Sequence, residues 1–361
     1  MILNSPHSYL SGSHNNPYLL FTTGQDLGVI GLQTNDILLL ADRNVAKKKE
    51  EKLCKTEFLT KEREELTKNN PIKFNGKSIM MKGNSLALTQ EQHCQNLKTV
   101  SSEAENLTSS RGITRKMVSP KEQYIAQRAR GVYIAIVCQP EATIDLSLAA
   151  QVTNPMKEDV RKLNKRLMWQ KDNSSRGLNF IPLKAPFKLV IFTDYSSQIG
   201  YVIVLADKNN KANILHWSST KCKQVTRSTL AFELYGMANS FDVGAAIKGT
   251  IEKVMKLESL PLILFTDSKY LYDCLVKLGT THKKRLMVDI ICLRQSYKRC
   301  QITEVIWIDR GSNSADAMTK NHLCQALPDL INSNTINLKA AGWVDRAEGE
   351  MVIKETRNKD N

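Results

Sequence analysis

Two stretches of this chain end alike: Leu-Val-Ile-Phe-Thr-Asp at 189–194 and Leu-Ile-Leu-Phe-Thr-Asp at 262–267. Each is a continuous apolar run of the kind that forms a strand buried on both faces, and each closes on an aspartate. Ligands in such sheets collect at the carboxyl ends of the strands. Alone, either aspartate reads as a turn former or a helix cap. On neighbouring strands, Asp194 and Asp267 would stand side by side, and two like charges so close are costly unless a cation or a proton separates them.

Two further carboxylates can reach the same edge. Leu230, Leu234, Met237 and Phe241 form an apolar stripe at helical spacing, and Glu233 falls within it. That glutamate either ligates a metal or snorkels from the stripe edge to water. Asp316 opens a helix expected from Ser314, just after a strand at 304–309; by itself it is an acidic first-turn residue that suits the helix dipole. Together the four carboxylates suit two magnesium ions, with manganese as a substitute. Such a pair can activate water and stabilise the leaving oxygen of a phosphodiester, so that no serine or histidine nucleophile is needed. Arg310, beside the same strand end, is read as facing solvent.

The elements that must position these groups follow from the pattern. Strands are expected at 188–194, 200–206, 213–218, 262–267 and 304–309, with helices at 228–257, 269–278 and 283–299. Short polar turns make the first three strands an antiparallel meander, and helical crossovers make the fourth and fifth parallel to the first. The predicted fold is α/β: a mixed five-stranded sheet flanked by helices. Upstream lie a polar lead-in at 1–26, expected to be disordered, and apolar runs flanking Gln33-Thr34-Asn35-Asp36 that predict a hairpin. A charged helix is expected at 43–67, a small hairpin at 71–90, a Ser-rich linker at 101–120 and helices at 121–180, one of them capped by Asn154 with Pro155 at its first position. Residues 331–361 are expected to form a tail.

Lys and Arg number 51 against 36 acidic residues, a formal charge of +15, which points to a polyanionic partner. The eight cysteines show no zinc spacing and read as reduced thiols. No signal peptide or membrane span is visible, so cytoplasm or nucleus is the expected location, without secretion or a membrane partner. Lys221, Lys223 and Arg227 lie between the third strand and the Glu233 helix, and Lys283, Lys284 and Arg285 open a later one. With Ser219 and Ser268 they are the candidate nucleic-acid contacts.

The order Asp, Glu, Asp, Asp along strand, helix, strand and helix resembles the ribonuclease H family, a resemblance that implies the sheet order 3-2-1-4-5. Gln198-Ile199-Gly200-Tyr201, His216-Trp217-Ser218-Ser219, Phe265-Thr266-Asp267-Ser268-Lys269 and Ala315-Asp316-Ala317-Met318-Thr319-Lys320 resemble the ribonuclease H domain of copia-type LTR retrotransposon polyproteins, placed here at 181–330. The resemblance implies Asp194, Glu233, Asp267 and Asp316 as metal-binding catalytic residues and the RNA strand of an RNA–DNA hybrid as substrate. Other nucleic acid and remaining polyprotein segments are implied as further partners. Residues 27–100 are similar to the end of a reverse transcriptase palm, and 121–180 to its thumb and connection. In that family the hairpin tip carries adjacent aspartates. Here it reads Asn35-Asp36, a degenerate polymerase site, and the earlier palm strand would precede Met1, so polymerase activity is expected to be absent. A second reading is a decayed retroelement fragment that binds nucleic acid without cutting it, for which the short turn after Asp194 also speaks. Another nuclease or an integrase on the same fold is disfavoured by Glu233.

Overall fold

The structure, a computed structural model, describes residues 8–9, 18–23, 26–33, 36–55, 63–101, 103, 105–107, 116–222, 228–276, 284–321, 324–338, 340–347 and 350–354. An α+β region comes first. Asp26–Gln33 pairs antiparallel with Asp36–Ala41, and Gln33 opposite Asp36 leaves the expected two-residue hairpin connection. Tyr18–Thr23 adds a strand to the hairpin, pairing antiparallel with Asp26–Gly31, so the expected disordered lead-in is corrected there. The charged helix spans Arg43–Cys54, and residues 63–67 at the far end of the expected span are not helical.

The second hairpin region is a meander of Ile72–Phe74, Lys77–Lys82 and Ser85–Thr89, turning at Asn75-Gly76, where both residues have positive φ. Leu178–Phe180 joins its outer edge. The expected linker contains a short ladder, Glu105–Leu107 with Lys116–Val118. Three helices follow at Pro120–Ala135, Thr143–Ala149 and Lys157–Asp172, around a core of Tyr124, Ile134, Leu146, Leu163 and Leu167. The first has a capping box: Ser119 Oγ accepts from the Glu122 amide at 3.3 Å and Glu122 Oε2 accepts from the Ser119 amide at 2.9 Å. The last is capped at Met156, two residues after the expected Asn154, because Asp159 reaches back to the Met156 amide at 2.9 Å.

The C-terminal domain consists of β1 (Phe187–Tyr195), β2 (Gln198–Asp207), β3 (Ala212–Lys221), α1 (Thr229–Met255), β4 (Leu262–Thr266), α2 (Lys269–Val276), α3 (Lys284–Lys298), β5 (Glu304–Ile308), α4 (Ala326–Ser333), β6 (Ala340–Ala347) and β7 (Glu350–Lys354). The sheet order is β3-β2-β1-β4-β5-β6-β7. Strands β1, β4 and β5 are parallel and the remaining pairs antiparallel. The 3-2-1-4-5 arrangement implied by the ribonuclease H resemblance is therefore present. The five-stranded expectation is corrected by two strands, since part of the expected tail forms β6 and β7. Alternation along β1 divides the core: Leu189 and Ile191 pack with Leu234 and Met237 of α1, whereas Val190 and Phe192 pack with Met318, Leu327 and Leu330 on the other face. The helical region docks on this second face, where the Trp217 indole N–H donates to Ala135 O and Thr143 Oγ1, both at 3.1 Å. Among the described residues no helix is long and apolar enough to cross a membrane.

Candidate metal centre

The site is built from strand register. Thr193 of β1 pairs with Thr266 of β4, so the residues that follow, Asp194 and Asp267, emerge beside each other where the parallel pairing ends. The Thr193 hydroxyl donates to Phe265 O at 2.9 Å and ties the two ends together. The short turn after Asp194 closes as a tight hairpin, Tyr195 opposite Ile199, and leaves Asp194 in place opposite Gly200.

Asp316 arrives from the opposite face on a 3₁₀ turn, Ser314–Met318, rather than the expected longer helix; the α-helix follows only at Ala326. Asn313, fully buried, welds this turn to the sheet. Its Nδ2 donates to Thr193 O at 2.9 Å, and its Oδ1 accepts from the Ala315 amide at 3.1 Å. Gly200 permits the close approach, since a Cβ there would lie 2.4 Å from Thr319 Cγ2. One carboxylate oxygen from each of Asp194, Asp267 and Asp316 lies within 4.8 Å of the others. Asp194 is 6 % and Asp316 3 % exposed.

Glu233 stands beside this trio and is not one of it. Helix α1 lies close on the sheet because Gly236 faces the Tyr195 ring, where a Cβ would be 1.4 Å from the nearest ring carbon. The Glu233 carboxylate then accepts a hydrogen bond from the Ser268 hydroxyl, next to Asp267. Burial, then the charges of Asp267 and Asp194, raises its pKa, against the opposing Ser268 bond and Lys320 charge. Asp267 is pushed up to about 6, first by burial and then by Asp194. These shifts mark an accumulation of negative charge at one sheet edge.

Lys320 enters the cluster from the other side. Its ammonium pairs with Asp316 Oδ1 and lies 3.2 Å from Asp194 Oδ2. Burial depresses the Lys320 pKa, but the Asp316 and Asp194 partners outweigh it, so the net shift is upward. Thr319 donates its hydroxyl to Asp194 Oδ2. The expectation that Arg310 faces solvent is half right: its side chain is 64 % exposed, with Nε 3.8 Å from Asp316 Oδ1. Lys320, Thr319 and Asn313 were missed as site residues in the sequence. The signal for Lys320 was its spacing of four from Asp316, and for Asn313 its type immediately before a helical turn.

The nucleic-acid candidates divide. Lys221 is exposed at the end of β3. Ser219 is buried opposite Gly200, with no hydrogen-bond partner for its hydroxyl. Ser268 is engaged with Glu233. Lys284 and Arg285 begin α3, while Lys223, Arg227 and Lys283 lie outside the described residues. At the polymerase-like tip Asp36 starts an exposed strand end, and Asn35 lies outside the described residues.

No protein-family model matches the sequence, and no curated protein matches it. Among solved structures the chain is similar to an RNase H1 isolated from compost by a metagenomic approach, with TM-score 0.30 and 18 % identity over 39 % of this chain and 98 % of that one. It is similar to the N-terminal RNase H domain of rv2228c from Mycobacterium tuberculosis, fused to maltose-binding protein, with TM-score 0.28 and 19 % identity over 40 % and 97 % of the two chains. It also resembles a foamy viral protease-reverse transcriptase solved in complex with double-stranded DNA, with TM-score 0.40 and 14 % identity over 66 % of this chain and 38 % of that one.

Proposed function

We propose that the C-terminal domain is a metal-dependent ribonuclease H that hydrolyses the RNA strand of RNA–DNA hybrids, in a chain derived from a copia-type LTR retroelement polyprotein. The observation that carries this reading is the trio of Asp194, Asp267 and Asp316 oxygens within 4.8 Å of one another. The donor set fits a hard divalent cation, because it offers only carboxylate oxygens. It is also short of positive charge: among the described residues no salt bridge reaches Asp267 or Glu233, and both are raised in pKa. When bound, two such cations would supply an activated water and charge stabilisation at the leaving oxygen.

The chain's own part is placement. Asp194, Glu233, Asp267 and Asp316 would hold the cations. Asn313 and the Thr193 hydroxyl fix the backbone on which Asp194 sits, and Ser268 orients Glu233. Lys221, Lys284 and Arg285, with Lys223, Arg227 and Lys283, would contact phosphates, giving affinity with little sequence preference. In this reading residues 27–100 descend from a polymerase palm and 121–180 from its thumb and connection, with no polymerase activity remaining.

The test is hydrolysis of a labelled RNA–DNA hybrid in magnesium by the full chain and by Asp267→Asn. Products from the first and none from the second are expected. Equal signals, or none from either, overturn the enzyme reading. A second reading, hybrid binding without cleavage, is favoured by the Lys320 ammonium lodged between two of the proposed ligands. Binding by the unaltered chain without any magnesium-dependent product would select it.

A further inference from the structure

The carboxylate edge has two unlike sides. On one, the Lys320 Nζ bridges Asp316 Oδ1 and Asp194, lying 3.3 Å from Asp194 Oδ1 and 3.2 Å from Oδ2, with its side chain only 22 % exposed. This one ammonium joins the carboxylate at the end of β1 to the one carried by the 3₁₀ turn. Arg310, the other cation at Asp316, stands 3.8 Å away and mostly in solvent. On the other side stand Asp267 and Glu233, the latter accepting from Ser268 and raised in pKa in part by the Asp267 charge, and among the described residues no lysine or arginine forms an ion pair with either.

From this asymmetry we infer that Lys320 is a built-in competitor for one of two cation positions: a divalent ion enters first beside Asp267 and Glu233, and a second must displace the Lys320 ammonium from between Asp194 and Asp316. The inference rests on the metal-centre reading and adds an order to it. The physical cause is Coulombic. An entering ion beside Asp267 meets carboxylates on which Lys320 acts only from a distance, whereas one at Asp194 and Asp316 must first break a direct ion pair in a partly buried, weakly screened site. Lysine is suited to yield, because its ammonium is a strongly hydrated point charge on a flexible four-carbon stem and can swing to solvent. Lys320 also follows the 3₁₀ turn directly, its amide bonded to Asp316 O at 3.0 Å, so the stem can move while Asp316 keeps its place.

Calorimetric titration of the full chain with Mn²⁺ tests this, comparing the natural sequence with Lys320→Met and Lys320→Arg. The natural chain is expected to bind in two unequal steps. Lys320→Met should tighten the weaker step by about tenfold and leave the stronger one within about threefold, since one competing charge is removed from one side only. Lys320→Arg should keep the natural pattern. If Lys320→Met does not melt cooperatively, Lys320→Gln replaces it and is judged by the same outcomes. Two equal steps in the natural chain, or a methionine variant whose isotherm matches it, overturn the lysine inference and leave the metal centre standing. Absence of Mn²⁺ binding by every variant removes the metal centre and the inference with it.

Discussion

The molecule buries charge in two ways. In the helical region each largely buried carboxylate has its own arginine from another segment: Asp145 with Arg166, and Glu141 with Arg176. At the sheet edge three aspartates and a glutamate gather around one lysine. Pairs of the first kind neutralise a buried charge within the fold. The second arrangement costs stability unless cations arrive, and a fold has no reason to keep it for its own sake. The difference is the physical ground on which the proposed metal centre stands apart from the structural ion pairs.

The comparison can be broken most decisively at the edge. Asp267→Asn should lower magnesium-dependent hybrid hydrolysis by more than about a hundredfold, measured as initial rates, because metal geometry tolerates little displacement. Gly236→Ala should cost about 2–3 kcal/mol in denaturant unfolding, since its Cβ would overlap the Tyr195 ring and lift α1, and Glu233 with it, off the sheet. In the helical region Arg166→Ala should cost about 2 kcal/mol by the same measurement, a value discounted for partial exposure of the pair.

The sharpest contrast concerns the sign of a stability change. Removing one member of an arginine pair destabilises, whereas Asp267→Asn in metal-free buffer should stabilise, by on the order of 1 kcal/mol after discounting for solvent screening. Asp267 titrates near 6 in the folded chain and near its ordinary 3.8 unfolded, so the folded state holds the extra proton between those values. Stability therefore falls as pH rises through that window. The gain in the variant should be full above about pH 6 and absent below about pH 4, read from melting curves across pH. The smallest expected effect is Ser119→Ala, which removes a helix cap far from the edge at about 1 kcal/mol and leaves hydrolysis unchanged.

How legible the site was depended on what each residue's placement rests upon. Asp194 and Asp267 could be paired from sequence because two apolar runs of matching composition impose the same strand and the same end. Glu233 followed from its place in a helical stripe. The setting of Asp316 did not, because the turn that carries it is held by Asn313 bonded to Thr193, 120 residues earlier in the chain. Lys320 was invisible as a site residue for the same reason: its spacing from Asp316 was plain, but its approach to Asp194 depends on Gly200 letting the turn close on β2. In the fold, β6 and β7 were missed because charged residues interrupt their apolar positions, so the strand signal is weak until β5 offers an edge to pair with. Tyr18–Thr23 was masked by the polar composition around it.

The most direct measurement is the melting temperature of the full chain with and without Mn²⁺, beside Asp267→Asn. A ligand that binds only the folded state raises it. If the edge is a divalent-cation centre, Mn²⁺ raises the melting temperature of the natural chain and leaves that of Asp267→Asn nearly unmoved. No rise in the natural chain, or the same rise in both, would contradict it.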